Sequence, residues 1–440
     1  MGSPEFAAVI VVLLLGSVLL GIPVVISLGL CSFFGLAYLM GSLDIAGSLL
    51  ANTAYESIRD YVFAVIPLFV LLGEIVSKSG AAADLYNLVN RGFRRLPGRL
   101  ALATVGGNAI FGAVTGVSIA SAAAFSRIAY PEMLRARYDR SVALGSIAGS
   151  AALGMLIPPS VLLIVWGVIS EQSIGVLFVA GVVPGLLLAA MFFLFVLAFA
   201  YLRPALFGAS AAAAGDAALE AGDWREVAGA MGVCLLIVAV LGGIWFGLFT
   251  PTEAAGIGAL LSVLVGLAKG MGWRDFVQAV LDTGRISAPL LFLLITAQMY
   301  SRLLAMGGIV DIIGELFTGF GGSTFAVLGI MILVWLLLGM FIDSVSIILL
   351  TVPIFAPIAA GIGYDPIAFA IIGIVAIEAG LLTPPFGLCV YTVKSCVTDP
   401  EATLARIFQG AIPYWIILLI LVALVALFPG IASWLPAQMG

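Results

Sequence analysis

Long apolar stretches alternate with short polar ones along nearly the whole chain. Those at 7–42, 61–77, 174–201, 229–249, 253–270, 286–305 and 408–436 approach or exceed the ~20 residues a helix needs to cross a bilayer. They are far longer than the alternating segments of a β-barrel, so helices are predicted throughout. Two further stretches, 142–168 and 366–393, have the length but carry an interruption. The first reads Gly154-Met155-Leu156-Ile157-Pro158-Pro159-Ser160 and the second Gly380-Leu381-Leu382-Thr383-Pro384-Pro385-Phe386-Gly387. A proline pair removes two backbone donors and clashes with the preceding turn, so each of these helices breaks at mid-depth. The stretches 100–126 and 325–360 have small or polar centres, Gly112-Ala113-Val114-Thr115-Gly116-Val117-Ser118 and Gly339-Met340-Phe341-Ile342-Asp343-Ser344. The first is too short for two full crossings and predicts a re-entrant hairpin; the second is read as its equivalent.

Landmarks recur at nearly one spacing. The proline pairs lie 226 residues apart. Gly21-Ile22-Pro23 and Phe249-Thr250-Pro251, Gly80 and Gly308, and Val117-Ser118-Ile119 and Val345-Ser346-Ile347 lie 228 apart. Together they indicate an internal duplication. Arg91, Arg94, Arg95 and Arg99 precede the first hairpin and Arg127, Arg135, Arg137 and Arg140 follow it, which puts both its ends in the cytoplasm. The flanks of the second hold Arg302, Asp311, Glu315 and Asp365 with no basic excess and are placed outside. The repeats are therefore inverted, the arrangement in which broken helices meet at a transporter's midplane.

The predicted organisation is scaffold helices over 7–60, a transport part over 61–201 with hairpin 100–126 and broken helix 142–168, and a connector at 202–228. The second repeat has scaffold helices over 229–285, a transport part over 286–405 with hairpin 325–360 and broken helix 366–393, and a C-terminal helix at 406–440. Residues 1–6, Met-Gly-Ser-Pro-Glu-Phe, read as a cloning remnant and are set aside.

Composition agrees: 63% of residues are hydrophobic, 9% are charged and mean hydropathy is +1.25, as in a polytopic membrane protein. A net charge of −5 without a basic surface offers nothing to nucleic acid. The chain has no histidine, which excludes Ser-His and Cys-His catalysis, HExxH metal sites and histidine relays, and no enzyme is expected. Cys31, Cys234, Cys389 and Cys396 lack CxxC spacing and read as small apolar residues, with no disulfide or transition metal. Trp224, Trp273, Trp415 and Trp434 lie near predicted span ends as interfacial anchors.

Broken helices leave carbonyls and amides free at mid-depth; carbonyls suit sodium and amides suit carboxylate. Thr115 and Ser118 lie beside Gly154, Ile157, Pro158 and Ser160 in one half, and Gly339, Asp343, Ser344 and Ser346 beside Gly380, Thr383 and Phe386 in the other. One sodium site per half is the expectation, against the plainer reading that glycines and hydroxyls only pack helices. Asp343 is a functional candidate as an intramembrane acid, or a water-exposed hairpin cap. Glu378 is left open between function and structure. Glu253 reads as a charge after a helix cap, Glu74 as an interfacial charge, and Arg127 as a topology charge or a substrate counter-ion.

These residues resemble the large membrane subunit of tripartite ATP-independent periplasmic (TRAP) transporters. The resemblance spans essentially the whole chain after residue 6. It rests on Ile66-Pro67-Leu68-Phe69-Val70-Leu71-Leu72-Gly73-Glu74, Ile157-Pro158-Pro159-Ser160, Leu177-Phe178-Val179-Ala180-Gly181-Val182-Val183-Pro184-Gly185, Phe249-Thr250-Pro251-Thr252-Glu253-Ala254-Ala255, Gly339-Met340-Phe341-Ile342-Asp343 and Leu382-Thr383-Pro384-Pro385-Phe386-Gly387. It implies an elevator-type transporter of the ion-transporter superfamily in a bacterial inner membrane. Such a protein imports an organic acid with sodium, takes it from a soluble periplasmic binding protein (P), and works beside a small membrane subunit (Q); it has no cofactor beyond its coupling ions. The family's sodium ligands would fall on Thr115, Gly154, Ile157 and Pro158, and on Gly339, Gly380, Thr383 and Phe386. Ser118, Ser160, Asp343 and Arg127 are the substrate candidates. Where the family commonly reads Ser-Gly-Ser and then Asp in the first hairpin, this chain has Thr115-Gly116-Val117 and Ser121, so sialic acid, a C4-dicarboxylate and another small organic anion all stay open. A stand-alone sodium-carboxylate symporter or antiporter, and a non-transporting membrane subunit, are the rival readings.

Overall fold

The computed structural model describes residues 3–208, 224–321 and 323–439. Apart from one bridge between Tyr138 and Phe207, every regular element among them is helical. Seven helices are long and apolar enough to cross a membrane, and a bent pair, Arg140–Leu156 and Val161–Ser170 at 42°, makes an eighth among the described residues.

The first repeat begins with α1 (Pro4–Leu19), α2 (Val24–Met40) and α3 (Leu43–Arg59). The apolar run 7–42 is thus two helices, because Gly21 turns with φ +86° and Pro23 opens the next one. Residues set aside at the start belong to α1: Ser3 caps it by accepting from the Phe6 amide, and Phe6 stacks on Tyr38 at 5.2 Å. A 3-10 turn (Tyr61–Ala64) leads into α4 (Val65–Lys78), followed by α5 (Ala81–Gly92). Hairpin 1 is α6 (Arg99–Thr115) and α7 (Ser118–Arg135); broken helix 1 is α8 (Arg140–Ser150), α9 (Leu153–Leu156) and α10 (Val161–Ser170); α11 (Ile174–Leu202) closes the repeat.

The second repeat has α12 (Trp224–Trp245), α13 (Pro251–Ala268), α14 (Trp273–Gly307) and α15 (Ile309–Gly321). Hairpin 2 is α16 (Thr324–Gly339) and α17 (Ser344–Gly361), broken helix 2 is α18 (Pro366–Gly380) and α19 (Leu388–Cys396), and α20 (Leu404–Leu427) and α21 (Gly430–Ser433) follow. Gly80 and Gly308, at φ +78° and +63°, start α5 and α15 alike. Of the connector expected at 202–228, residues 209–223 lie outside the described residues, as does the Trp224 side chain, whereas Pro204–Leu206 form a 3-10 turn and 224–228 already belong to α12.

Packing fixes the inversion. Lys78, at the end of α4 that leads toward the arginine-rich loops, pairs with Asp282 in the first part of α14 at 2.8 Å. From there α14 runs alongside α2, with Gly29 facing Thr296 and Gly35 facing Leu303, and at its far end Arg302 donates to Thr53 of α3 at 2.8 Å. Hairpin 1 opens at Arg99 and Arg135 on the arginine-rich side; hairpin 2, reached through α15, opens on the opposite side. The second limb of each broken helix packs on the hairpin of the other repeat, α10 on α17 and α19 on α7. Trp166, Trp335 and Phe369 join at this crossing, with Trp335 at 5.9 Å from Trp166 and 5.2 Å from Phe369. Hairpins and broken helices are largely buried, while α11 to α14 turn Leu186, Leu194, Leu235, Leu260 and Phe292 outward, an apolar surface suited to lipid or another membrane helix.

Candidate functional site

In hairpin 1, Gly116 takes φ +63°, and its carbonyl accepts from the Val161 amide at 3.2 Å, so the tip is bonded directly to the far side of the Pro158–Pro159 break. A Cβ on Gly116 would stand 3.0 Å from the Val161 nitrogen and 3.2 Å from the Pro159 oxygen, which leaves room for glycine alone. Just before the tip, α6 crosses broken helix 1 backbone to backbone: a Cβ on Gly154 would lie 2.9 Å from the Gly112 Cα. Hairpin 2 repeats the arrangement, a Cβ on Gly339 standing 2.6 Å from the Gly380 Cα and one on Gly380 2.8 Å from the Gly339 Cα. Both Pro-Pro bonds, Pro158–Pro159 and Pro384–Pro385, are cis.

Each half therefore brings two helix C-termini to one point, α6 with α9 and α16 with α18. Aligned carbonyls give each terminus a partial negative charge, which favours a cation. The hydroxyls predicted as ligands lie there: Thr115 donates to the Phe111 carbonyl at 3.2 Å and Thr383 to that of Ala379 at 2.9 Å, so the lone pairs of each oxygen stay free to accept. Gly154, Ile157 and Pro158 sit on the same break as Thr115, and Gly380, Thr383 and Phe386 flank the same break beside Gly339.

The two halves differ in access. Pro158, Pro159 and Ser160 are buried, whereas Pro384, Pro385 and Phe386 are exposed. A cavity of about 880 Å³ reaches the second tip, lined by Gly21–Val25, Pro289, Phe341, Asp343, Ser346 and Leu388 among others. Gly21 and Pro289 in its wall lie toward the Lys78–Asp282 end of α14. A second cavity, about 850 Å³, opens at the other end of α14, with Glu56, Gln172, Gln298 and Arg302 in its wall.

The substrate candidates do not converge. Asp343 is exposed in the first cavity and caps α17, its carboxylate accepting from the Ser346 amide at 3.0 Å. Ser160 is fully buried, donating to the Met155 carbonyl at 2.6 Å and capping α10. Ser118 is also fully buried, beside Cys389 and Glu378. Arg127 is exposed on the outer part of α7, well below the tip. Glu253 forms a capping box with Thr250. Sequence reasoning missed the glycine crossings as contacts; the signal was available in Gly112 and Gly154 recurring as Gly339 and Gly380.

Two inverted hairpins meeting two broken helices at a polar mid-depth centre define a polytopic membrane transporter. The chain belongs to the family of the tripartite ATP-independent periplasmic transporter, DctM component, whose family model matches residues 10–431. It is 34% identical over 419 residues to the C4-dicarboxylate TRAP transporter large permease protein of Pseudomonas aeruginosa, covering 94% of each chain. It is 28% identical to the sialic acid TRAP transporter large permease protein of Vibrio cholerae, covering 96% of each. Among solved structures, the YdaH transporter of Alcanivorax borkumensis shares the fold with a TM-score of 0.59 at 16% identity, over 89% of this chain and 90% of that one.

Proposed function

We infer that this chain imports a small organic acid across a bacterial inner membrane together with sodium, as the large permease subunit of a tripartite system. The observation that carries the reading is the meeting of two carbonyl-bearing helix ends in each repeat, held together by Gly112–Gly154 and Gly339–Gly380. Sodium binds at Thr115, Gly154, Ile157 and Pro158 in one half and at Gly339, Gly380, Thr383 and Phe386 in the other. The substrate enters the cavity that reaches Asp343 and Ser346 at the second hairpin tip. The positive-inside rule makes that cavity cytoplasmic, so this is the inward-facing state. The hairpins and broken helices travel as one elevator body against α1 to α3 and α12 to α14. A soluble binding protein delivers the substrate, and a small membrane subunit covers part of the outward apolar surface.

The test is uptake of labelled C4-dicarboxylates and sialic acid into proteoliposomes holding this chain with its small subunit. Each acid is offered with and without an inward sodium gradient and the binding protein. Accumulation that needs both supports the reading, and Thr115→Val and Thr383→Val then raise the sodium concentration for half-maximal uptake by about 5-fold or more. Uptake without the binding protein would mark a stand-alone symporter. Uptake indifferent to sodium would remove both ion sites.

A further inference from the structure

Glu378 belongs to neither ion site, yet it is only 2% exposed, two residues before the Gly380 crossing. Its Oε1 accepts from the Ser344 hydroxyl at 2.8 Å, the Ser118 hydroxyl lies beside the same carboxylate, and its Oε2 has no hydrogen-bond partner. Ser118 is the first residue of α7 and Ser344 the first of α17; Cys389, the second of α19, is 3.7 Å from the Ser118 oxygen. Two helix N-termini, one from each repeat, thus meet at one carboxylate with the start of α19 beside them, and their half-charges favour an anion there. The group is not part of the duplication, since Ala152 stands at the matching place of the first broken helix, 226 residues earlier. Ser118 is three residues from Thr115, and Ser344 follows Gly339 by five.

We propose that Glu378 is a positioning residue that ties the two hairpin tips together, so that sodium bound at one tip strengthens binding at the other. A buried carboxylate oxygen left without a partner is costly, and a turn of the buried Ser118 hydroxyl onto Oε2 as sodium orders tip 1 satisfies it. Ordering at Thr115 and ordering at Gly339 then favour each other through one shared acceptor, which is a coupling free energy between two sites. The proposal rests on the sodium reading above.

The experiment uses the full system in proteoliposomes, in a C31S, C234S, C396S background that leaves Cys389, 1% exposed, as the sole thiol and a reporter of the tie. Initial uptake against sodium concentration and the rate of Cys389 labelling by a small permeant maleimide are measured for the background, E378Q and S344A. The background is expected to respond to sodium with a Hill coefficient near ~2 and to be protected from labelling by sodium. E378Q keeps maximal uptake within about 2-fold, raises half-saturating sodium about 5-fold or more, drops the Hill coefficient toward ~1, and labels faster with or without sodium; S344A moves the same way by less. A fall in maximal rate with unchanged half-saturation and Hill coefficient would show a merely structural role and overturn the proposal, as would labelling of E378Q equal to the background. Sodium-indifferent uptake by the background would instead sink the ion sites, and the tie would still be judged by sodium-free labelling of Cys389.

Discussion

Gly112, Gly154, Gly339 and Gly380 at the crossings and Gly116 at the first tip set how closely the hairpins approach the broken helices, and single substitutions separate their roles. At Gly116 an added methyl meets both a left-handed φ of +63° and backbone at 3.0 Å, so Gly116→Ala should cost about 2–4 kcal/mol. Gly380→Ala, with Cβ 2.8 Å from the Gly339 Cα, should cost about 1–3 kcal/mol and lower uptake with it. Gly256 in α13 meets nothing within 4 Å, and Gly256→Ala should shift stability by less than ~1 kcal/mol. Thermal unfolding of the purified variants, followed by size-exclusion chromatography, checks the ranking; equal losses at Gly116 and Gly256 would refute it. The proline pairs and tip glycines were legible in the sequence because they break backbone rules that hold anywhere. The burial of Ser118 and Ser160 was not, because a hydroxyl's direction depends on which helix crosses it, and a linear pattern does not contain that crossing.

At the scale of elements, hairpins and broken helices were readable from apolar length interrupted by small residues or proline pairs. The amphipathic α3 and α5 were not singled out, since much of each surface is polar and hydropathy does not track helicity, nor was α15, whose 13 residues are too few to cross a bilayer. The same reason hid the start of α14, where Arg274, Asp275, Gln278, Asp282 and Arg285 precede the apolar part. One loop contact joins elements across the repeats: Asp399, after α19, accepts from Arg140 at 2.9 Å and from Tyr130 at 2.8 Å. Those bonds, the Arg140 one foremost, hold its carboxyl down from 3.8 to about 2. Because the folded value lies below the unfolded one, the stabilisation is present above about pH 4 and is lost as pH falls toward 2. Asp399→Asn should lower the melting midpoint by about 2 °C at neutral pH, and its midpoint should fall less steeply than wild type between pH 4 and 2.5. Parallel curves for the two proteins would remove Asp399 from the account.

Across the whole molecule, the duplication gives two similar halves with unlike roles. One break is sealed and the other stands open to a cavity on the arginine-rich side; the first half is interrupted between α3 and α4, whereas the second runs unbroken through the 35 residues of α14. Sidedness can be measured directly. In a background without the four native cysteines, Phe341→Cys, at a residue 51% exposed in the cavity, should react with an impermeant maleimide in inside-out vesicles and stay unlabelled in right-side-out ones. The opposite pattern would reverse the orientation drawn from the arginines. The glycine crossings, finally, bear on how such a chain can change over generations. Any single-base change that alters the residue a glycine codon specifies installs a Cβ or a stop, and because both partners at Gly112–Gly154 and at Gly339–Gly380 are already the smallest residue, no second mutation across the contact can make room. Selection is left to explore substrate preference in the side chains around these four positions, with the crossings themselves closed to drift.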